Sequence, residues 1–134
     1  MARSKLSSVI TGLSLVCMLT TSGASAKDAP RTPPQCFSSH GWSGWRITPD
    51  ARSMYIRAGV RDVYRLDFSG ACQGARTAGS HLVTRIRGSS SICSPVDLDL
   101  KVADNHGFAT PCIVNKITPL AADEASALPK NLRP

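Results

Sequence analysis

Residues 53–72 read SMYIRAGVRDVYRLDFSGAC, and this stretch predicts a β-hairpin that runs into a cysteine. Apolar side chains occupy every second position on both sides of a break at residues 59–61, at Met54, Ile56, Ala58, Tyr64, Leu66 and Phe68. Because successive side chains of a strand point to opposite faces, this alternation predicts one buried face and one face in water. A two-stranded hairpin is not stable alone, so the rest of the chain must cover the apolar face.

A loop formed by residues 59–61 predicts the register of this hairpin, because loop length sets strand pairing. Ile56 then lies opposite Tyr64 on the inner face. Tyr55 lies opposite Arg65 on the outer face. Such cross-strand pairs each contribute about 0.2–1 kcal/mol to stability.

The same alternation predicts further strands at residues 44–48, 82–87, 96–102 and 112–117. Near the end of the chain, Thr118 followed by Pro119 predicts the start of a helix over residues 119–127. Short strands, loops rich in glycine and serine, and one terminal helix predict a mainly β fold. We expect a small disulfide-stabilised antiparallel β barrel or sandwich with a short C-terminal helix.

The first 26 residues have the pattern of a secretory signal peptide. A basic start precedes an apolar run at residues 6–19 and an A-x-A cleavage site at residues 24–26. The run is too short for a transmembrane helix, so no membrane-spanning segment is expected after cleavage. The rest of the sequence predicts a proline-rich leader at residues 27–35 and a single β domain at residues 36–134. The protein is expected to be periplasmic or secreted.

Four cysteines follow the predicted cleavage site, and they are Cys36, Cys72, Cys93 and Cys112. An even number in a small exported domain indicates two disulfides. None of them forms a C-x-x-C pair, which argues against a zinc ribbon and against a thioredoxin-type redox site. Three pairings are possible. We favour Cys36–Cys72 with Cys93–Cys112, because each bridge then closes one successive half of the domain.

Several short motifs follow one another along the chain: Cys36-Phe37, Gly44-Trp45-Arg46, Val63–Leu66, Cys72, Ser90–Cys93, Cys112–Val114 and Thr118-Pro119. Their order resembles a family of small exported bacterial proteins with four cysteines, known only as a domain of unknown function. The resemblance covers about residues 36–128 and implies export and a shared fold, but no reaction. Members of that family carry Gly-Asp after the third cysteine, where this chain has Ser94-Pro95.

The whole chain has a formal net charge of +7 without a run of like charges. This balance is compatible with solubility and with attraction to anionic envelope polymers. Two tryptophans and scattered arginines are too few to predict a nucleic-acid binder, so no nucleic-acid partner is expected.

The first candidate for ligand binding is an anion site made by Arg85, Arg87 and the loop that follows them, with Ser89, Ser90 and Ser91. Guanidinium groups, hydroxyls and loop N–H groups suit phosphate or carboxylate. The alternative is a polar turn after an edge strand, where arginine guards against pairing between sheets. Trp42, as a stacking platform, and Arg57 are secondary candidates, whereas Trp45 is expected in the core.

Catalytic and metal-binding alternatives find less support in the sequence. Asp97 and Asp99 share one face of a predicted strand, about 6–7 Å apart, and paired carboxylates can perform acid–base chemistry. Lys101 continues that face, so a solvated charged surface explains all three. The histidines His40, His81 and His106 lack metal-binding spacing, so no metal and no cofactor are predicted. Ser43 lacks the closing glycine of a nucleophile elbow.

These patterns indicate an exported envelope protein that acts as a non-catalytic binding or structural-interaction module. One alternative is a small exported hydrolase that uses Asp97, Asp99 or a histidine. Another is an inhibitor or chaperone-like partner of a second exported protein. The expected partner is an envelope protein or an anionic envelope polymer.

Overall fold

The computed structural model describes residues 33–134, so the predicted signal peptide and most of the leader lie outside the described residues. Within this range the chain forms nine strands and one α-helix: β1 Phe37–Ser38, β2 Trp42–Ile47, β3 Ser53–Ala58, β4 Asp62–Phe68, β5 His81–Ile86, β6 Ser91–Ile92, β7 Leu98–Ala103, β8 Ala109–Pro111, β9 Val114–Leu120 and α1 Ala122–Ala127. Three 3₁₀ turns lie at Gln73–Arg76, Pro95–Asp97 and Lys130–Leu132.

The strands form three antiparallel sheets. One has four strands in the order β2-β3-β4-β9, one has three in the order β5-β7-β8, and β1 pairs with β6. In the described part of the chain these sheets do not close into a barrel. The predicted mainly β fold with a short C-terminal helix is therefore confirmed. Its sheets are open, so the barrel that was one of the two predicted alternatives does not form.

The predicted hairpin is formed by β3 and β4, with its loop at residues 59–61. Ile56 lies opposite Tyr64, and Tyr55 lies opposite Arg65, as the loop length predicts. Gly59 has a φ of 67°, a left-handed conformation that glycine adopts without steric cost. The local alternation of the sequence therefore determines both the strands and their register.

The two larger sheets bury their inner faces in one core. The four-stranded sheet contributes Met54, Ile56, Tyr64 and Leu66, which are fully buried. The three-stranded sheet contributes Leu98, Leu100 and Val102 to the same cluster. Because each sheet buries its inner face in this core, the opposite face of each points away from it.

The strand predicted at residues 96–102 begins later, at Leu98. Pro95–Asp97 is a 3₁₀ turn, and Val96 is 77% exposed. A side-chain oxygen of Asp97 accepts the backbone N–H groups of Cys93 and Ser94, at 3.0 and 2.8 Å. These hydrogen bonds hold residues 95–97 in a turn instead of a strand, so β7 begins two residues later than predicted.

The helix predicted at residues 119–127 also begins later, at Ala122. Thr118 and Pro119 belong to β9, where they lie opposite Arg65 and Tyr64. Pairing with β4 therefore overrides the local helix-start signal. The Glu124 carboxylate accepts the N–H of Ala121 at 2.8 Å and helps to cap the helix.

The two disulfides join Cys36 to Cys93 and Cys72 to Cys112, so the predicted pairing of Cys36 with Cys72 and Cys93 with Cys112 is wrong. The antiparallel pairing of Phe37 with Ile92 places the preceding Cys36 beside the following Cys93. The Cα atoms of the two bridges are 4.2 and 5.4 Å apart. Sheet pairing, rather than proximity along the chain, selects the partners.

Candidate functional site

A cleft lies where the free edges of two sheets meet. It has a volume of about 280 Å³ and is lined by Ser39, Trp42, Gly44, Trp45, Leu82 and Thr84. Three of these residues belong to β2 and two belong to β5. A neighbouring cavity of about 440 Å³ shares Gly44 and Trp45 and extends along β2 to Arg46. We call the first cavity the seam cleft.

Both walls of the seam cleft are edge strands. Within residues 33–134, β2 pairs with β3 alone and β5 pairs with β7 alone. An edge strand presents a row of backbone N–H and C=O groups without ladder partners, which is a template for pairing with another chain. The seam cleft therefore offers backbone hydrogen bonds in addition to side-chain contacts.

The β2 wall owes its shape to an irregularity in strand pairing. The register shifts between Trp42 and Gly44, and Trp42 lies opposite Ala58 while Trp45 lies opposite Ile56. Because Ala58 and Ile56 face the core, both indole rings lie on the inner side of the sheet. The ring centroids of Trp42 and Phe37 are 5.8 Å apart, which holds the rim of the cleft in place.

The inward side chains of the β5 wall are more exposed than those of the neighbouring strand β7. Leu82 lies opposite Val102, and Thr84 lies opposite Leu100. Val102 and Leu100 are 2% exposed, whereas Leu82 is half-buried and Thr84 is exposed. The inner face of β5 is therefore not fully packed against the core, and the unfilled space is part of the seam cleft.

One donor at the seam cleft has no partner. The indole Nε1–H of Trp42 is buried and makes no hydrogen bond with any residue that the structure describes. A buried donor without a partner costs about 1–3 kcal/mol of stability. Thr118 Oγ1 is the other such atom, and it lies on β9, away from the cleft.

Both arginines of the predicted anion site lie next to Asp99. Arg85 lies opposite Asp99 in the sheet, and Arg87 Nη2 is 3.9 Å from an oxygen of Asp99. The Ser89 hydroxyl accepts the N–H of Ser91 at 3.3 Å. A carboxylate between the arginines weakens attraction for a second anion.

The remaining predicted residues lie elsewhere. Ser90 O accepts the N–H of Ser39 at 2.9 Å, which ties this loop to the end of β1. Arg57 is on the outer face of β3, where its guanidinium donates to the carbonyl oxygen of Pro134. Trp42 is the only one of the predicted ligand-binding residues that lines the seam cleft.

A separate cavity of about 350 Å³ lies between the Pro95–Asp97 turn and the chain joining β8 to β9. Arg87 and Asp99 line it, together with the exposed side chains of Val96 and Ile113. Most of its lining residues are apolar, which does not suit an anion site. Its two charged side chains, Arg87 and Asp99, are 3.9 Å apart and attract each other.

The carboxylate pair considered for catalysis is not on one strand. Asp97 belongs to the 3₁₀ turn, and Asp99 belongs to β7. The N–H of Cys93, followed by that of Ser94, lowers the pKa of Asp97 below its usual value, so this carboxylate is ionised and fixed at neutral pH. Such a group holds a turn and is a poor proton donor.

The described residues contain no group of three His, Cys, Asp or Glu side chains that could hold a metal ion. Among residues 33–134, no helix is long and apolar enough to cross a membrane. The two disulfides indicate an oxidising environment.

Sequence reasoning missed most of the seam cleft. Trp45 was expected in the core, and it both packs against the core and lines the cleft. Leu82 and Thr84 were expected only as strand residues. The available signal was the local composition: Gly41, Ser43 and Gly44 surround two tryptophans in a strand, which is typical of an irregular edge.

No curated protein and no solved structure matches the chain. A family model matches residues 1–134, and the chain therefore belongs to DUF6491, a family of unknown function.

Proposed function

We propose that the protein is an exported, non-catalytic binding module that takes an extended segment of another exported protein into the seam cleft. One observation carries this proposal: two edge strands, β2 and β5, line the same cleft. An added strand would hydrogen-bond to either edge, since edge pairing is a common mode of peptide recognition. The signal-peptide pattern and the two disulfides support export.

The side chains of the cleft give this mode its specificity. Trp42, Trp45 and Leu82 provide apolar contact for alternate side chains of the peptide. The exposed Thr84 hydroxyl would accept or donate one hydrogen bond. The cleft therefore matches a peptide with apolar residues at every second position.

Intrinsic fluorescence tests the proposal directly. The chain contains two tryptophans, and both Trp42 and Trp45 line the seam cleft, so tryptophan emission is sensitive to binding at this site. The oxidised protein would select binders from a displayed library of random peptides. Each selected peptide would then be synthesised without tryptophan and titrated. We expect saturable changes in emission.

Three variants make the test specific. Trp42→Phe keeps an aromatic ring and removes part of the apolar surface that lines the cleft, and we expect it to weaken peptide binding about fivefold, the equivalent of about 1 kcal/mol. Leu82→Lys places a charge in the cleft and should abolish binding. Val83→Lys is the matched control, because Val83 lies on the same strand and faces away. Selected peptides that bind Leu82→Lys as well as they bind the unchanged protein would exclude the seam cleft as their site.

A further inference from the structure

The outer face of the four-stranded sheet carries a row of basic and aromatic side chains. Arg46 on β2 lies opposite Tyr55 on β3, and Tyr55 lies opposite Arg65 on β4. Neighbouring strands are about 4.8 Å apart, so the two arginines are attached about 10 Å from each other with the tyrosine between them. None of these three side chains lines the seam cleft, although Arg46 lines the neighbouring cavity.

Cations exceed carboxylates on this face. Arg57 and Lys116 add two more, at outward positions of β3 and β9. Asp67 is the one carboxylate among the outward strand positions of this four-stranded sheet, and it is already bound to Arg65 at 3.0 Å and to the Ser53 hydroxyl at 2.6 Å. Within residues 33–134, no aspartate or glutamate carboxylate lies within 4.0 Å of Arg46 or Lys116. The guanidinium of Arg57 donates to an oxygen of Pro134, and that of Arg46 donates to the carbonyl oxygen of Trp45 at 2.9 Å.

Other carboxylates do not neutralise the face, because they are committed to turns. Asp50 accepts the Thr48 hydroxyl at 2.5 Å and the N–H of Arg52 at 3.1 Å. Asp104 accepts the N–H groups of His106 and Phe108 at 2.9 and 3.0 Å. Acidic groups therefore cap the backbone while basic groups remain on the sheet surface, which produces a local positive potential.

One end of the face is covered and the rest is open. Val63 and Leu120 are outward positions that are nevertheless buried, and α1 packs against β4 at this end. A Cβ atom at Gly44 would be 3.2 Å from the carbonyl carbon of Pro134, so the C-terminal segment approaches the sheet closely there. Arg46 and Lys116 are exposed, and Tyr55 is half-exposed.

From this arrangement we propose that the outer face of the four-stranded sheet binds an acidic polysaccharide. A sugar ring presents an apolar C–H face, which can lie against Tyr55, and its carboxylate or sulfate groups can reach the Arg46 guanidinium beside it. Lys116 adds a second exposed cation on this face, whereas Arg65 is already paired with Asp67. An acidic peptide would use the charges and would have no need of the ring. The basic face is separate from the seam cleft, so the two sites can be tested independently.

The probe is polygalacturonate, a polymer of uronic acids, with neutral dextran and poly-L-glutamate as comparisons. Binding to the oxidised protein would be measured by isothermal titration calorimetry at low and at physiological salt. We expect polygalacturonate to bind, with affinity that falls as salt rises, because exposed ionic contacts are screened. Dextran should not bind, and poly-L-glutamate should bind at least about tenfold more weakly.

Arg46→Gln and Tyr55→Leu should each weaken polygalacturonate binding about five- to tenfold, as each removes one contact of the row. Arg76→Gln is the matched charge control, because Arg76 is exposed in the 3₁₀ turn Gln73–Arg76 and is not a residue of the four-stranded sheet. It should change affinity less than about twofold. Circular dichroism would verify that each variant is folded. Trp42→Phe should leave binding unchanged, since it belongs to the seam cleft.

Three results would each overturn the proposal. No binding of polygalacturonate at low salt would exclude the polysaccharide. Equal losses for Arg76→Gln and Arg46→Gln would mean diffuse attraction to a basic protein. Equal affinity for poly-L-glutamate, with no effect of Tyr55→Leu, would identify an acidic peptide as the ligand class instead.

Discussion

At the scale of single residues, Asp97 holds the turn before β7 through one carboxylate oxygen, Oδ2. That oxygen accepts from the backbone of Cys93 and Ser94 and, at 3.3 Å, from the Ser94 hydroxyl. The pKa of Asp97 is lowered, chiefly by the N–H of Cys93. A group whose pKa is lower in the folded protein stabilises it above the unfolded pKa, about 3.9 for aspartate, and loses this effect as pH falls through the folded value.

We therefore expect Asp97→Asn to lower the urea midpoint of unfolding at pH 7 and to have a smaller effect at pH 3, where the native carboxylate is increasingly protonated. Urea titrations at pH 7, 5 and 3 would measure this difference. Asp123→Asn is the control, because Asp123 is exposed in α1. Equal midpoints for the two variants at pH 7 would contradict the role assigned to Asp97.

The core offers a second test at a single position. Leu66 is fully buried between the sheets, whereas Val60 in the hairpin loop is 87% exposed. Leu66→Ala should lower the free energy of unfolding by about 2–5 kcal/mol, through lost burial and the cavity that remains. Val60→Ala should change it by less than about 0.5 kcal/mol. Denaturant unfolding at neutral pH would measure the free energy of unfolding of both variants. Equal losses for Leu66→Ala and Val60→Ala would contradict the buried position of Leu66.

At the scale of elements, the sequence predicts well where structure is local. The hairpin of β3 and β4 follows from alternation and a three-residue loop, and its register is confirmed. The predicted starts of β7 and of α1 were wrong. Hydrogen bonds accepted by Asp97 hold the residues before β7 in a turn, and pairing with β4 keeps residues 118 and 119 in a strand. The two-residue strands β1 and β6 are too short to show any periodicity. The seam cleft depends on two edges that are distant in sequence, so only the structure brings it together.

At the scale of the whole molecule, the two disulfides interleave: the segment closed by Cys36 and Cys93 overlaps the one closed by Cys72 and Cys112. These bridges span 57 and 40 residues, respectively. A loop of this length corresponds to about 4 kcal/mol of stabilisation in the chain-entropy model. Sequence spacing left the pairing open because it depends on β1 meeting β6, a contact between distant segments.

Peptide mapping tests this connectivity. Arginine or lysine residues lie between every consecutive pair of these cysteines, including Arg46, Arg76 and Lys101, so trypsin separates all four. We expect a non-reduced digest to contain peptides that link Cys36 to Cys93 and Cys72 to Cys112. A reduced and alkylated digest is the control. A dominant peptide linking Cys36 to Cys72 would contradict the structure.

Export is tested separately, at the other end of the chain. If residues 1–26 act as a signal peptide, the protein recovered from the periplasm or the medium should begin at Lys27. N-terminal sequencing or intact mass would measure this. An uncleaved chain that remains in the cytoplasm would contradict the proposed export.

The interleaved bridges also bear on how the chain matures. Neither bridge joins cysteines that are consecutive in the sequence. If the protein is exported as we propose, a chain oxidised in the order in which it emerges from the translocation channel would first join Cys36 to Cys72, a pair that the folded protein does not contain. Exchange between thiols and disulfides must then correct the error, or oxidation must wait until β1 has met β6. The protein should therefore depend more on a disulfide isomerase than on an oxidase alone.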